Sequence, residues 1–274
     1  MNATFVIAGK EIRDGLRNRW IFGATLVMAA LAFALALLGS APTGTLGVKP
    51  LAVTVVSLAS LTIFLMPLIA LLLSYDSVVG EVERGTMLLL LTYPVSRWQI
   101  LVGKMLGHWG ILAIATVLGY GGAGAVVGLG QGSDPESWAA FGLLMITSVM
   151  LGAVFVSLAT LASLLVRERG AAAGVAVVLW LGFVVVFDLG LLGMLVGLQG
   201  MVDPRLFFWL LLTNPADVYR LANLTGLENV RMFSGMSGLA ADMRFPLWVL
   251  LGVLAAWTAA PLAASLAIFR RREL

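Results

Sequence analysis

The chain has 274 residues, of which 61% are hydrophobic and 11% charged, and it contains no cysteine. A water-soluble domain averages about 45–50% apolar and about 25% charged residues, so the polar residues here could not cover the apolar surface in water and the solvent must be a bilayer. A separate soluble catalytic domain, a disulfide framework and a thiolate metal site are excluded. The net charge of +3 is spread in short clusters between apolar runs, which reads as a membrane-orientation signal and not as a nucleic-acid surface.

Residues 1–19 come first. Phe5, Ala8, Ile12 and Leu16 recur at helical spacing, with Lys10, Arg13, Asp14 and Arg17 turned to the other side. This pattern predicts an amphipathic helix lying in a membrane interface; a short charged tail without structure is the alternative. Residues 20–274 form a six-span domain. About 20 apolar residues cross about 30 Å of hydrocarbon as a helix, and the stretches 20–38, 51–74, 105–130, 138–166, 171–198 and 246–269 qualify. The first is longer than the apolar core of a signal peptide, and Gly39-Ser40-Ala41 is a poor cleavage site, so it is expected to be retained.

Six spans put both termini on one side. Lys10, Arg13, Arg17, Arg19, Arg84, Arg97, Lys104, Arg167, Arg169, Arg270, Arg271 and Arg272 fall on that side, against Lys49, Arg205, Arg220, Arg231 and Arg244 on the other. The bias predicts cytoplasmic termini.

The loop 76–104 between spans two and three carries the densest information. Glu81, Glu83 and Arg84 are expected around an exposed turn. Gly85-Thr86 offers a helix start, the run from Met87 to Leu91 is apolar but too short to span, and Tyr93-Pro94 ends it. A short helix, apolar on one side and flanked by carboxylates, suits docking into a groove on another protein. A plain turn between spans is the competing reading.

Within span three, His108 follows Lys104 by one turn and is expected to be interfacial. Gly119, Gly121 and Gly124 match G-x-G-x-x-G, but they lie inside an apolar span and follow no strand. They are expected to serve helix packing, as are the pairs Gly103/Gly107, Gly124/Gly128, Gly128/Gly132 and Gly170/Gly174. Asp188 is the acidic residue well inside a span, a functional hypothesis by default. It lies roughly 25 Å along its helix, near the outer surface, which leaves a structural role and a substrate pathway both open.

The outer loop 199–245 is long. Its apolar run from Leu206 to Thr213 reaches only about 12 Å as helix and is broken by Asn214-Pro215, so short re-entrant helices under a packed outer cap are expected. Met232, Met236 and Met243 could offer thioethers to Cu(I), although methionine more often fills gaps. No G-x-x-x-x-G-K-[ST] motif occurs, so ATP is not expected to bind this chain by a P-loop. No resident metal or catalytic residue is expected.

The sequence G-E-V-E-R-G-T…L-L-L-L-T-Y-P-V-S-R…G-K over 80–104 resembles the ABC-2 family of permeases, the membrane halves of ABC exporters. The resemblance implies an all-α membrane fold of six spans with cytoplasmic termini, a coupling helix in this loop and re-entrant helices between spans five and six. The segments 14–20, 64–76, 186–189 and 210–221 further resemble the branch of that family that acts in maturing the copper sites of nitrous oxide reductase. By that resemblance Glu81, Glu83, Gly85, Thr86, Pro94, Arg97, Gly103 and Lys104 should contact the ATPase. Asn214, Pro215, Asp217, Tyr219 and Arg220 should shape the surface facing a periplasmic partner.

The same likeness implies a homodimer in a bacterial inner membrane, and a separate cytoplasmic ABC ATPase that binds ATP and Mg. It implies either export of a sulfur species or mechanical action on the periplasmic partner. The absence of cysteine and a single histidine argue against a copper path through the permease itself. The competing expectations are a generic ABC-2 exporter of a drug, lipid or polysaccharide, and a membrane scaffold with no ATPase.

Overall fold

A computed structural model describes residues 2–39, 50–130, 134–197, 204–225 and 245–271, and among these the chain is helical with no strand. Helix α1 (Ala3–Arg17) is capped by the Asn2 side chain, which accepts from the Thr4 N–H at 3.4 Å. At Asn18 the backbone turns extended and α2 (Arg19–Gly39) begins. Next come α3 (Pro50–Ser74), the short α4 (Val79–Glu83) and α5 (Thr86–Thr92), and α6 (Arg97–Thr116), which runs through a π-helical turn at 117–121 into α7 (Gly122–Gly130). Helix α8 (Pro135–Leu165) is followed by α9 (Arg169–Leu181), a π-helical turn at 182–186 and α10 (Phe187–Gly197). The rest is α11 (Pro204–Leu212), α12 (Pro215–Thr225) and α13 (Leu247–Arg271).

Among the described residues, five helices, over 51–83, 97–130, 135–165, 169–197 and 247–271, are long and apolar enough to cross a bilayer. The helix pair α1–α2, bent by 72°, brings the number to six when taken as one span. The break falls at Asn18, between the charged α1 and the apolar run that starts at Trp20.

Helix α8 is the axis of the fold, packed against α3, α6, α9, α12 and α13. Leu151, Val154, Phe155, Val156 and Ala159 are fully buried on it, as expected of a helix that is apolar all round. Its buried hydroxyls stay satisfied without water because Ser148, Ser157 and Thr160 each donate to a carbonyl one turn back. Helices α9 and α10 and the π-helical turn between them do the opposite and turn Val178, Val186, Leu189, Leu192 and Val196 outward.

The glycine pairs divide by use. A Cβ at Gly128 would fall 2.5 Å from the Trp138 ring, and Gly124 packs on Phe141, so this pair lets α7 approach α8. Gly119 faces Ala29 of α2, where a Cβ would be 3.4 Å away. Gly103 and Gly110 seat α1 instead: a Cβ at either would lie 2.8 Å from Ile7 or Ile12. Gly170 and Gly174 meet nothing within 4 Å, so the expected packing role fails for them within this chain. Gly132 lies outside the described residues.

Helix α1 forms as expected, but its inward face differs from the apolar stripe. Ala8 is buried and Ile12 packs on the core, whereas Phe5 and Leu16 are exposed. The face against α6 runs through Thr4, Ala8, Glu11 and Gly15. Glu11 on this face pairs with Lys104 of α6 at 2.9 Å.

Candidate functional site

Charged and polar side chains gather at both ends of the helical bundle. At the α1 end, the α4–α5 segment is built by local rules. Gly85 takes φ 71°, a left-handed conformation that glycine adopts without strain, and so separates α4 from α5. Tyr93 is extended before Pro94. A capping box then restarts the chain as α6: the Gln99 side chain accepts from the Ser96 N–H at 3.0 Å.

Side chains tie this segment to helices distant in sequence. Ser163 of α8 accepts from the Val78 and Val79 N–H groups at 3.2 and 3.0 Å, filling the start of α4. Glu83 accepts from the Arg169 N–H at 2.7 Å, placing a carboxylate at the N-terminus of α9. Arg169 also donates to Asp76 at 2.7 Å. Arg97 donates to the Phe269 and Arg270 carbonyls at 2.8 and 3.3 Å, which closes the end of α13.

Lys104 completes the set. Its ammonium donates to Glu81 at 2.6 Å and to Glu11 of α1 at 2.9 Å, with Lys104 2% and Glu81 6% exposed. Burial pushes the Glu11 pKa up, but Lys104, by charge and hydrogen bond, outweighs it and holds the carboxyl below its ordinary value. Lys10 adds contacts of 3.2 Å to Glu11 and 3.3 Å to Asp14. His108 packs beside them, Nδ1 at 3.2 Å from Ser74 Oγ and Nε2 at 3.8 Å from Glu11. A cavity of about 190 Å³ lies among these groups.

The expected contact set is therefore split. Glu83, Thr86 and Pro94 are exposed, Gly85 is half-buried, and Arg97 is half-buried against α13. Glu81, Gly103 and Lys104 are buried against α1. The exposed turn expected at 81–84 is exposed only at Glu83 and Arg84, because Lys104 draws Glu81 inward. His108, expected at the interface, is buried beside Ser74 and Glu11. The outward side of α5 and its flanks presents Leu88, Leu89, Tyr93 and Trp98. Glu11, Asp76, Ser163 and Arg169 complete the cluster, and sequence reasoning did not single them out. Only the opposite charge of Glu11 and Lys104 hinted at a partnership.

At the other end, Asn214-Pro215 separates α11 from α12 as expected. The Asn214 side chain accepts from the Ala216 N–H at 2.9 Å and donates to the Phe183 carbonyl at 2.8 Å. That carbonyl lies in the π-helical turn, where the shifted bonding pattern offers an acceptor sideways. Arg220 donates to Asp188 at 2.8 Å and also to Asp217. Asp188 is thus held by a cation and is not an isolated intramembrane carboxylate. Asp217 is 1% exposed, and its second oxygen has no hydrogen-bond partner among the described residues. Burial, with Asp188 adding to it, pushes its pKa up to about 6 in spite of Arg220.

Tyr219 lies 3.3 Å from Ser148, and Asn223 donates to Thr147 at 2.9 Å, so α12 docks on α8 through polar groups inside an apolar core. Asn214, Pro215, Asp217 and Tyr219, expected to shape the surface facing a periplasmic partner, are all buried, and Arg220 alone of the five is partly exposed. Met232, Met236 and Met243 lie outside the described residues. Among those described, no group of three or more His, Asp or Glu could hold a metal ion.

These features define a multi-span helical membrane protein with a two-helix hub at one end and a docked pair of short helices at the other. The chain belongs to the ABC-2 family of transporter proteins, whose description it matches over residues 5–274, and it is an ABC transporter permease. It is 49% identical over 275 residues to the probable ABC transporter permease protein NosY of Stutzerimonas stutzeri, covering 99% of each chain. It is 47% identical over 277 residues to the probable ABC transporter permease protein NosY of Pseudomonas aeruginosa, covering 100% of each.

Proposed function

We propose that this permease serves in assembly of the copper-sulfur site of nitrous oxide reductase, as the membrane half of a complex with a separate NosF-like ATPase and a NosD-like periplasmic protein. The full-length likeness to the NosY permeases supports the assignment to this branch. Two copies provide the pair of membrane halves an ABC transporter needs. The α1 end faces the cytoplasm, in accord with the bias of basic residues toward it. ATP and Mg are held by the ATPase.

The observation that carries the mechanism is the two-sided character of the α4–α5 segment. One side offers Leu88, Leu89, Tyr93 and Trp98 to a groove on the ATPase. The other is fixed to α1, α6, α8, α9 and α13 by Glu81–Lys104–Glu11, Ser163, Glu83, Asp76–Arg169 and Arg97. Closure of two ATPase subunits displaces α5, and these links carry the displacement to the spans in place of letting α5 slide. The helices move as packed bodies, since close-packed interiors shift between arrangements and do not deform continuously. At the far end, Asn214 on the π turn of span five and Arg220 on Asp188 pass motion of span five to α12. The stroke thereby reaches a periplasmic partner or drives export of a sulfur species.

Co-purification tests the first step. With Leu89→Asp, the ATPase should be lost from the complex in mild detergent while the permease stays in the membrane. Full retention of the ATPase would remove α5 from the docking surface.

A further inference from the structure

Four hydroxyl side chains meet where α12 packs on the spans: Thr62 of α3, Tyr120 of the π-helical turn at 117–121, Ser148 of α8 and Tyr219 of α12. All four are fully buried. Sealed from solvent, each O–H has to give its proton to a protein acceptor, so the protons can be counted.

Thr62 Oγ1 lies 2.6 Å from the Leu58 carbonyl and 2.9 Å from the Tyr120 hydroxyl. A carbonyl only accepts, so the single Thr62 proton goes to Leu58 and Tyr120 donates to Thr62. Ser148 is placed alike. Its proton goes to the Leu144 carbonyl at 2.6 Å, and it faces the Tyr219 hydroxyl at 3.3 Å as an acceptor. Tyr219 also has Thr62 within hydrogen-bond reach. A threonine hydroxyl accepts twice, and Tyr120 uses one of those places. Tyr219 therefore has one proton and two acceptors, and the two stand on different spans.

We propose that the Tyr219 hydroxyl is a two-position switch, donating to Thr62 of span two in one arrangement and to Ser148 of span four in the other. The exchange needs only rotation of the O–H bond, and no buried donor is left unpaired on either side of it. Asn223, one turn further along α12, donates to Thr147 of α8 at 2.9 Å and serves as the pivot. Apolar side chains of the same shape hold a helix about as firmly as buried hydroxyls do, but they give it no choice between two bonded positions. When spans two and four shift past one another in the stroke, the switch lets α12 follow; that consequence, unlike the switch, rests on the proposed function.

A double-mutant cycle on the full-length permease in mild detergent tests the switch, with unfolding equilibria read from SDS titration. All variants carry Tyr120→Phe, so that removing the Thr62 hydroxyl strands no other donor. Thr62→Val and Ser148→Ala should each shift the equilibrium about twofold or less, because the remaining acceptor takes the proton. Together they should shift it on the order of tenfold or more, since the Tyr219 hydroxyl is then stranded. Adding Tyr219→Phe should make the two changes additive. Should the Tyr120→Phe chain fail to fold, the cycle is run with Tyr120 intact, with and without Tyr219→Phe, and the difference between the two couplings isolates Tyr219. Additive losses with Tyr219 in place, or the full loss from either single variant, overturn the proposal. The ATPase takes no part in this measurement, so such a result would leave the proposed function standing.

Discussion

Lys104 lies 2.6 Å from Glu81, and both are almost completely buried, although they stand 23 residues apart in sequence with α5 between them. Glu11 reaches the same ammonium from α1 at 2.9 Å. A buried charge stripped of its partner costs about 3–5 kcal/mol, whereas apolar replacement of the whole group is often neutral. Lys104→Met should therefore destabilise the permease by about that amount, and adding Glu81→Leu and Glu11→Leu should restore most of the loss. Thermal unfolding of the purified chain measures this. A single variant as stable as the parent would mean the three groups are not coupled.

The seat of α1 gives a second prediction. Gly103→Val pushes a branched side chain into Ile7 and the Thr4 carbonyl, which a Cβ at position 103 would already approach to 2.8 Å. Overpacking of this kind costs about 1–3 kcal/mol, enough to lift a short helix from its site. A cysteine placed at buried Ala8 should then react with a water-soluble maleimide in the Gly103→Val background and stay protected otherwise. Equal protection in both backgrounds would show that α1 does not depend on the glycine seat.

At the opposite end, Arg220 bridges Asp188 and Asp217. Arg220→Leu strands the buried Asp217 and should lower stability more than Asp188→Asn, which leaves an acceptor in place and a partly exposed site. Asp188→Asn and Asp188→Ala should assemble yet impair function. Melting temperatures compare the three, and an Arg220→Leu chain no less stable than Asp188→Asn would contradict the bridge.

Asp217 also sets a pH dependence. Its carboxyl titrates at about 6 when folded, against an ordinary 3.8. Between those values the folded protein holds more protons than the unfolded one, so this group's contribution falls as pH rises from about 4 to 6. Glu11 acts in the opposite sense: its pKa lies below the ordinary 4.5, and its contribution is lost only as pH drops below that value. Asp217→Asn should flatten the decline between pH 4 and 6 in a pH series of unfolding temperatures. A decline of the same slope in that variant would place its origin elsewhere.

Much of the fold is legible in composition and punctuation. Gly85 and Tyr93-Pro94 bound α5 where a left-handed residue and a missing donor require it, and Asn214-Pro215 divides α11 from α12. The inward face of α1 is not legible, because it joins Ile7 and Ile12 to a Glu11 paired with buried Lys104, while Phe5 and Leu16 of the apolar stripe stay exposed. The burial of Glu81 and Lys104 is hidden for a related reason: charged residues near a loop read as solvated until a partner is seen. Asn214 and Tyr219 mislead in the same way, since their hydrogen-bond partners, Phe183 and Ser148, lie on other helices.

In the proposed function, force enters at α5 and ends in assembly of a reductase. The most direct test replaces the permease gene of a denitrifying bacterium with this chain carrying Leu88→Asp and Leu89→Asp, and measures copper and sulfide in its nitrous oxide reductase. The reductase should be made and exported but lack its mature copper-sulfur centre, while the unaltered chain restores it. A fully loaded centre in the presence of the altered α5 would contradict the proposed function.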